Sequence, residues 1–352
     1  DYHNKTNPGT TGSVSNNQIS TWRLGLFLNQ QWTGLTPLTI ANNTFTAENY
    51  TGATNWSGIL VSTVTGTATG TINNNIISIP DTDTHSGYTA GYNVWNVTTT
   101  APITISGGMV TGGDYGIFVN NYEGYTSNAN STVIKIDGVT VQNSGIAGVY
   151  VKDSPSNTNG AAVYANVQNS MIDTNATGIL VEGADASALA NYNQLTGNPI
   201  AGITNTSGVL MDGTYNWWGA ASGPGIVGPG TGDQVSTDVD YDPWCVNTAC
   251  VDPVHNVTQD TYFLTIQAAI DAASNGDTIE ISEGTYVENL RVNKSVTLAG
   301  SGASVTRIIP AVSLPNPCTG SSLCGSPTAA SNVILVEAND VVIHDLTVDG
   351  DN

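Results

Sequence analysis

The chain has 352 residues, of which 10% are charged and only seven are basic, for a net charge of −21. Counterion release needs clustered Lys and Arg, so this balance excludes a nucleic-acid or anionic-membrane surface and suits cations instead. Apolar content of 39% is too high for a disordered acidic tail, and abundant Gly, Asn, Thr and Ser point to many short strands joined by tight turns.

Residues 1–215 are repetitive. Polar residues rich in Asn lead to a β-branched or apolar residue and a turn, and then to Gly followed by three mostly apolar residues. The phrase appears as Gly25-Leu26-Phe27-Leu28 and Gly58-Ile59-Leu60-Val61, then as Gly116-Ile117-Phe118-Val119 and Gly148-Val149-Tyr150-Val151. It returns as Gly178-Ile179-Leu180-Val181 and Gly208-Val209-Leu210-Met211, with a longer excursion over 62–115. A spacing near 30 residues marks a solenoid, because no single phrase can bury its own apolar face. Stacked coils would turn Ile, Val and Leu inward. The recurring Asn residues would take left-handed turn conformations and stack as amide ladders. A sandwich is the rival fold, but the repeats lack two-residue hairpin turns.

The pattern breaks at Tyr215-Asn216-Trp217-Trp218-Gly219 and runs on through Ser222-Gly223-Pro224 to Asp238-Val239-Asp240-Tyr241-Asp242-Pro243-Trp244. The segment resembles the closing segment of β-helical surface proteins, which implies that its aromatic rings cover a last coil. Residues 1–244 are thus expected to be the C-terminal coils of one β-helix, and 245–258, with Pro253, a linker. The four cysteines form two close pairs, Cys245/Cys250 and Cys318/Cys324, without metal-ligand spacing to histidine. Two local disulfides in an oxidising compartment are expected.

Helical periodicity is confined to Thr265–Ala273. Ile266, Ala269, Ile270 and Ala273 share a face, Thr265 is placed to cap, and Asn275-Gly276 stops the helix. From Thr278 the period falls to two. The run from Thr265 through Gly276-Asp277-Thr278-Ile279, Gly284-Thr285-Tyr286-Val287-Glu288 and Lys294-Ser295-Val296-Thr297-Leu298-Ala299-Gly300 resembles the N-terminal start of right-handed parallel β-helix proteins, the pectin-lyase-like superfamily. That resemblance implies an all-β fold, a right-handed parallel β-helix solenoid, with the end of one module joined to the capped start (259–352) of a second. Residues 332–336 and 341–348 read as further strands. Asp1-Tyr2-His3-Asn4 has no signal-peptide character, and the chain reads as mature or as an excerpt of something longer. The order end, join, start leads to the expectation that coil faces after Asn352 and before Thr21 stack end to end, on a second copy or a further repeat.

No catalytic, cofactor-binding or metal-binding set emerges. The cations Lys5, Arg23, Lys135, Lys152, Arg291, Lys294 and Arg307 are scattered, as are His3, His85, His255 and His344. Asp238, Asp240 and Asp242 alternate within the closing segment, and Asp345, Asp349 and Asp351 lie near the last strands; solvated turns account for both groups. Asp81-Thr82-Asp83-Thr84-His85 offers oxygen ligands to Ca²⁺ but lacks the Gly and distal Glu of an EF-hand loop. Tyr88, Tyr92, Trp95, Tyr122 and Tyr125 could stack on sugars or pack against the solenoid flank. Asn-x-Ser/Thr sites stand at Asn4, Asn42, Asn49, Asn55, Asn96, Asn130, Asn175, Asn205, Asn256 and Asn293, about as many as this composition gives by chance. No apolar run approaches the roughly 20 residues of a membrane helix. The expectation is an extracellular, cell-surface or filament-forming structural protein, with glycans as possible partners. A polysaccharide-binding or polysaccharide-cleaving β-helix is the alternative.

Overall fold

The computed structural model describes residues 2–3, 12–21, 24–32, 38–47, 55–66, 70–80, 87–99, 102–121, 131–154, 160–250, 253–312 and 332–350. The chain forms two compact units, Asp1–Cys250 and Val251–Asn352. Both are parallel β-helices.

In the first unit three parallel sheets of ten, nine and seven strands run the length of the unit. Sheet A includes Trp56–Gly66, Thr89–Thr99, Tyr115–Asn120, Ala147–Lys152 and Thr177–Glu182; sheet B includes Ile103–Ser106, Thr132–Asp137 and Val163–Gln168; sheet C includes Met109–Gly112, Thr140–Gln142 and Met171–Asp173. Each coil visits B, C and A in turn, so strands pair with the next coil and not with their chain neighbours, as Tyr115–Asn120 does with Ala147–Lys152. This pairing rules out the sandwich.

The register explains the repeat. In sheet A, Leu26, Ile59, Tyr92, Ile117, Val149, Ile179 and Ile203 stand in one inward column, and all are buried. Ahead of each stands a glycine: Gly25, Gly58, Gly91, Gly116, Gly148, Gly178 and Gly202. A Cβ on Gly116 would lie 2.6 Å from the carbonyl oxygen of Gly148 and 2.2 Å from Val141 Cγ1, so close approach of neighbouring coils is what requires glycine there. Sheet B joins sheet C through a left-handed residue at Asn16, Asn42, Asn74, Gly107, Gly138, Asn169, Tyr192 and Tyr215. The residue that follows carries the ladder. Asn17 N–H donates to Asn43 Oδ1 and Asn43 N–H to Asn75 Oδ1, each at 3.0 Å. The ladder lapses at Gly108 and Val139 and resumes through Ser170, Asn193 and Asn216. A second ladder at the C-to-A corner runs from Ser144 through Asn175 and Asn198 to the Asp233 carboxylate. Buried amides thus satisfy turn backbone groups that stacking would otherwise leave unpaired.

Three expectations need correction. The excursion over 62–115 holds a regular coil, with strands Gly70–Asn73, Ile76–Ile79 and Thr89–Thr99; its phrase begins at Gly91, and the polar Asn93 at the outward position hid it. The phrase Gly208–Met211 is not in register. Val209 and Leu210 are exposed, and the true member is Gly202-Ile203-Thr204-Asn205. The segment 245–258 is no linker. Cys245 N–H donates to Asn216 O in the first unit, while Val254–Asn256 is a strand of the second, antiparallel to Thr261–Phe263 and Thr278–Ile281.

The closing segment behaves as its aromatic content implied. Trp218 is fully buried at the end of the core, its ring lying where a Gly202 side chain would stand, 3.0 Å from that ideal Cβ. Tyr241 and Trp244 pack against the same core. Cys245 and Cys250 are disulfide-bonded with Cα atoms 4.8 Å apart; Cys318 and Cys324 lie outside the described residues.

In the second unit the strands Val254–Asn256 and Thr261–Phe263 lead into the expected helix, Ile266–Ala272, capped by Thr265 Oγ1, which accepts from Ala268 N–H. Ile266, Ala269, Ile270 and Ala273 pack on Val254, Ile279, Leu290, Val292 and Leu298. Three short sheets follow, in which successive coils pair in parallel; the five-stranded one also carries the antiparallel strands Val254–Asn256 and Thr261–Phe263. The coil Ile334–Val336, Val342–His344 and Thr347–Val348 stacks on Leu290–Val292, Thr297–Gly300 and Thr306–Ile309.

Candidate functional site

Side chains that chemistry would need are spread out. Asp238, Asp240 and Asp242 are exposed. Lys135 pairs with Asp137 at 2.8 Å, Arg291 with Glu337 at 2.5 Å, and Arg307 with Asp349. Lys294 Nζ donates to Ala273 O at 2.7 Å and to Asp271 O, closing the helix C-terminus. The His255 ring stacks on Tyr262 at 4.0 Å and bonds Asp260, and His344 bonds Asp345. No group of three or more metal-ligating side chains is gathered among the described residues. Lys5, Arg23, Asp351 and the Asp81–His85 segment lie outside them, and for His3 the backbone alone is described.

Glu288 and Lys294 of the start phrase serve the helix. Both Glu288 oxygens accept from its first turn, from Ile266 N–H and Gln267 N–H at 2.9 Å each. Asp277 accepts from Asn256 Nδ2, Ser274 N–H and Gln259 Nε2. These bonds, led by Asn256 and aided by the Lys294 charge, hold its carboxyl below the ordinary range.

One concave feature lies on the outer face of sheet A. Alternation along a strand turns every second side chain outward, which puts Asn93, Phe118 and Tyr150 in one outward column. Phe118 stacks on Tyr150 with centroids 5.2 Å apart. Tyr115 leans on both, at 4.9 and 5.0 Å, and Tyr88 meets Phe118 edge-on at 5.2 Å. Beside them is a groove of about 270 Å³ lined by Asn55, Tyr88, Tyr115, Phe118, Asn120, Asn121, Lys152 and Ser154. Its polar groups are held in place: Asn93 Nδ2 donates to Tyr88 Oη at 2.8 Å, Asn120 Nδ2 to Asn93 Oδ1 at 3.0 Å, and Asn121 Nδ2 to Asp153 Oδ1 at 2.7 Å. Tyr88 N–H donates to Asn55 Oδ1 at 3.2 Å. Aromatic faces beside amides suit a pyranose ring, whose C–H face is apolar and whose rim is hydroxylated.

Of the aromatics placed either against sugars or against the solenoid flank, Tyr88 is in this cluster, Trp95 is half-buried and Tyr122 and Tyr125 lie outside the described residues. Tyr92 is the correction. It points into the core at 1% exposure, and burial pushes its hydroxyl pKa well up despite a bond from the Asn75 side chain. Tyr115, Phe118 and Tyr150 were missed. Phe118 and Tyr150 sit mid-phrase, where a run of apolar residues hides the alternation of inward and outward.

Of the Asn-x-Ser/Thr sites, Asn42, Asn55 and Asn293 are exposed, while Asn96, Asn175, Asn205 and Asn256 are buried. Asn4, Asn49 and Asn130 lie outside the described residues. No helix among the described residues is long and apolar enough to cross a membrane. No protein-family model, curated protein or solved structure matches the chain.

Proposed function

We propose that the chain is an extracellular scaffold, a stretch of β-helix from a cell surface or filament, similar to the large β-helical surface proteins that its start and closing phrases resemble. The observation that carries this reading is where the side chains go. Inward positions are spent on coil-to-coil packing and buried amides on ladders, while Glu288 and Lys294 of the start phrase go to the ends of the helix. The disulfide of Cys245 and Cys250 fits an oxidising compartment.

Assembly by end-to-end stacking of coils belongs to the same proposal. In the coil over 332–350 the positions facing inward are half-open. Ile334 is half-buried and Val348 is 47% exposed, whereas their upstream register partners Leu290 and Ile308 are 2% and 0% exposed. Another β-helical coil, from the same polypeptide or a second copy, would bury them and pair the strands. Electron microscopy of the native assembly should show rods; dispersed single particles at high concentration would count against stacking. Sustained release of reducing ends or unsaturated products from acidic polysaccharides would replace the scaffold reading with the enzymatic one.

A further inference from the structure

The fold sorts the glycosylation motifs. Asn175 is fully buried, and its Nδ2 donates to Val141 O at 3.0 Å and to Asp173 O at 3.1 Å. Asn205 Nδ2 is held by Val209 O and Asp238 O, and Asn256 Nδ2 by Asp277. A sugar on any of these nitrogens would displace buried hydrogen bonds and have no volume to occupy. Among the three exposed sites, Asn42 is a left-handed turn residue between sheets B and C, and Asn293 follows the strand Leu290–Val292. Neither lines the aromatic groove. Asn55 does.

We propose that Asn55 carries an N-linked glycan whose first sugar ring packs into the groove against Tyr88 and Tyr115. The inference rests on the extracellular reading above. The motif is Asn55-Trp56-Ser57. In the transfer, Asn55 Nδ2 forms a bond to the anomeric carbon of a lipid-linked sugar diphosphate. The bond from that carbon to the diphosphate breaks, and the amide proton leaves with the phosphate. Ser57 is 2% exposed in the fold, so transfer precedes closure of this coil. The linkage consumes one Nδ2 hydrogen and leaves Oδ1 to keep its bond from Tyr88 N–H. That bond holds the side chain at the groove. The volume of about 270 Å³ lies just under that of drug-sized ligand sites, roughly 300–1,000 Å³, and so fits a single ring. Tyr88 and Tyr115 supply apolar faces, and Asn120 and Asn121 amides for the hydroxyls.

The test uses the native, secreted protein. Peptide mass spectrometry should find a glycan on Asn55 and bare Asn175, Asn205 and Asn256. Hydrogen exchange at Ala90, whose amide does not bond Asn55, should be about three- to tenfold slower in the wild type than in Ser57→Ala, the scale of one ring-on-ring contact. Tyr115→Ala should erase that difference while leaving occupancy intact. A bare Asn55, or an occupied Asn55 with unchanged exchange, overturns the proposal. Thiol labelling separates the two readings. An intact Cys245–Cys250 disulfide with a bare Asn55 sinks the glycan alone, whereas a reduced pair sinks the extracellular assignment and the glycan with it.

Discussion

The two units solve one problem by different means. Stacked coils must satisfy turn backbone groups that are buried by their neighbours. In the first unit uncharged side chains do this repeatedly, with Asn43 onto Asn75 and Asn193 onto Asn216. Around the helix of the second, single charged residues do it once each: Glu288 at the helix N-terminus, Lys294 at its C-terminus and Asp277 at the turn after it. Repetition suits the interior of a solenoid, where every coil meets the same neighbour. A start happens once, and helix ends carry partial charges that a carboxylate or ammonium complements. The contrast says that stability in the first unit is spread over many rungs, while around the helix of the second it is concentrated in a few groups.

The strongest way to break the comparison is at the closing ring. Trp218→Ala should destabilise the first unit by about 3–5 kcal/mol, the range for deleting a buried tryptophan, and leave the second unchanged. All seven tryptophans lie within residues 1–250, so their emission in urea reports that unit, while pulse proteolysis follows fragments of the other. Equal loss in both units would mean that the division is not energetic. Next comes a rung. Asn193→Ala strips Ser170 N–H and Val167 O of their partners, and two buried unsatisfied groups should lower stability by about 2–3 kcal/mol. In the second unit, Thr265→Ala removes one cap bond and should lower stability by about 1 kcal/mol. A cap variant as damaging as the rung variant would contradict the contrast.

How much of this the sequence discloses follows the same division. The start was readable down to single residues, since the helix face, the Thr265 cap and the Asn275-Gly276 stop each have a local signature. The solenoid was readable as a period, but its phase slipped where chemistry departs from the pattern. Gly91-Tyr92-Asn93-Val94 escaped because Tyr92 stands where other coils carry an aliphatic and the polar Asn93 where neighbouring coils carry Leu60, Phe118 and Tyr150. Gly208-Val209-Leu210-Met211 was accepted because composition says nothing of register. The groove was least legible. Asn55, Tyr88, Phe118 and Lys152 are brought together by stacking of coils about 30 residues apart, and only the register, not any motif, announces that they meet.

The smallest effects, and the sharpest discriminator, are in acid. Asp277 has a folded-state pKa below its ordinary 3.8, so it stabilises the second unit above that value, and the contribution is lost as pH falls through the depressed folded pKa. Asp233 ends the second amide ladder and is shifted the other way. Partial burial raises its pKa above 3.8, and the nearby Asp173 charge adds to this, against the bonds from Asn198 and Gly197. Its ionised form therefore penalises the first unit at neutral pH, and the penalty is relieved as pH falls through the raised folded pKa toward 3.8. Asp277→Asn should remove an acid-side loss from the second unit, and Asp233→Asn an acid-side gain from the first. Urea midpoints taken from pH 7 to pH 3 on each variant check both signs. Matching signs would show that the ladder terminus and the turn after the helix answer to the same electrostatics, and the contrast between the units would fail where a carboxylate holds each.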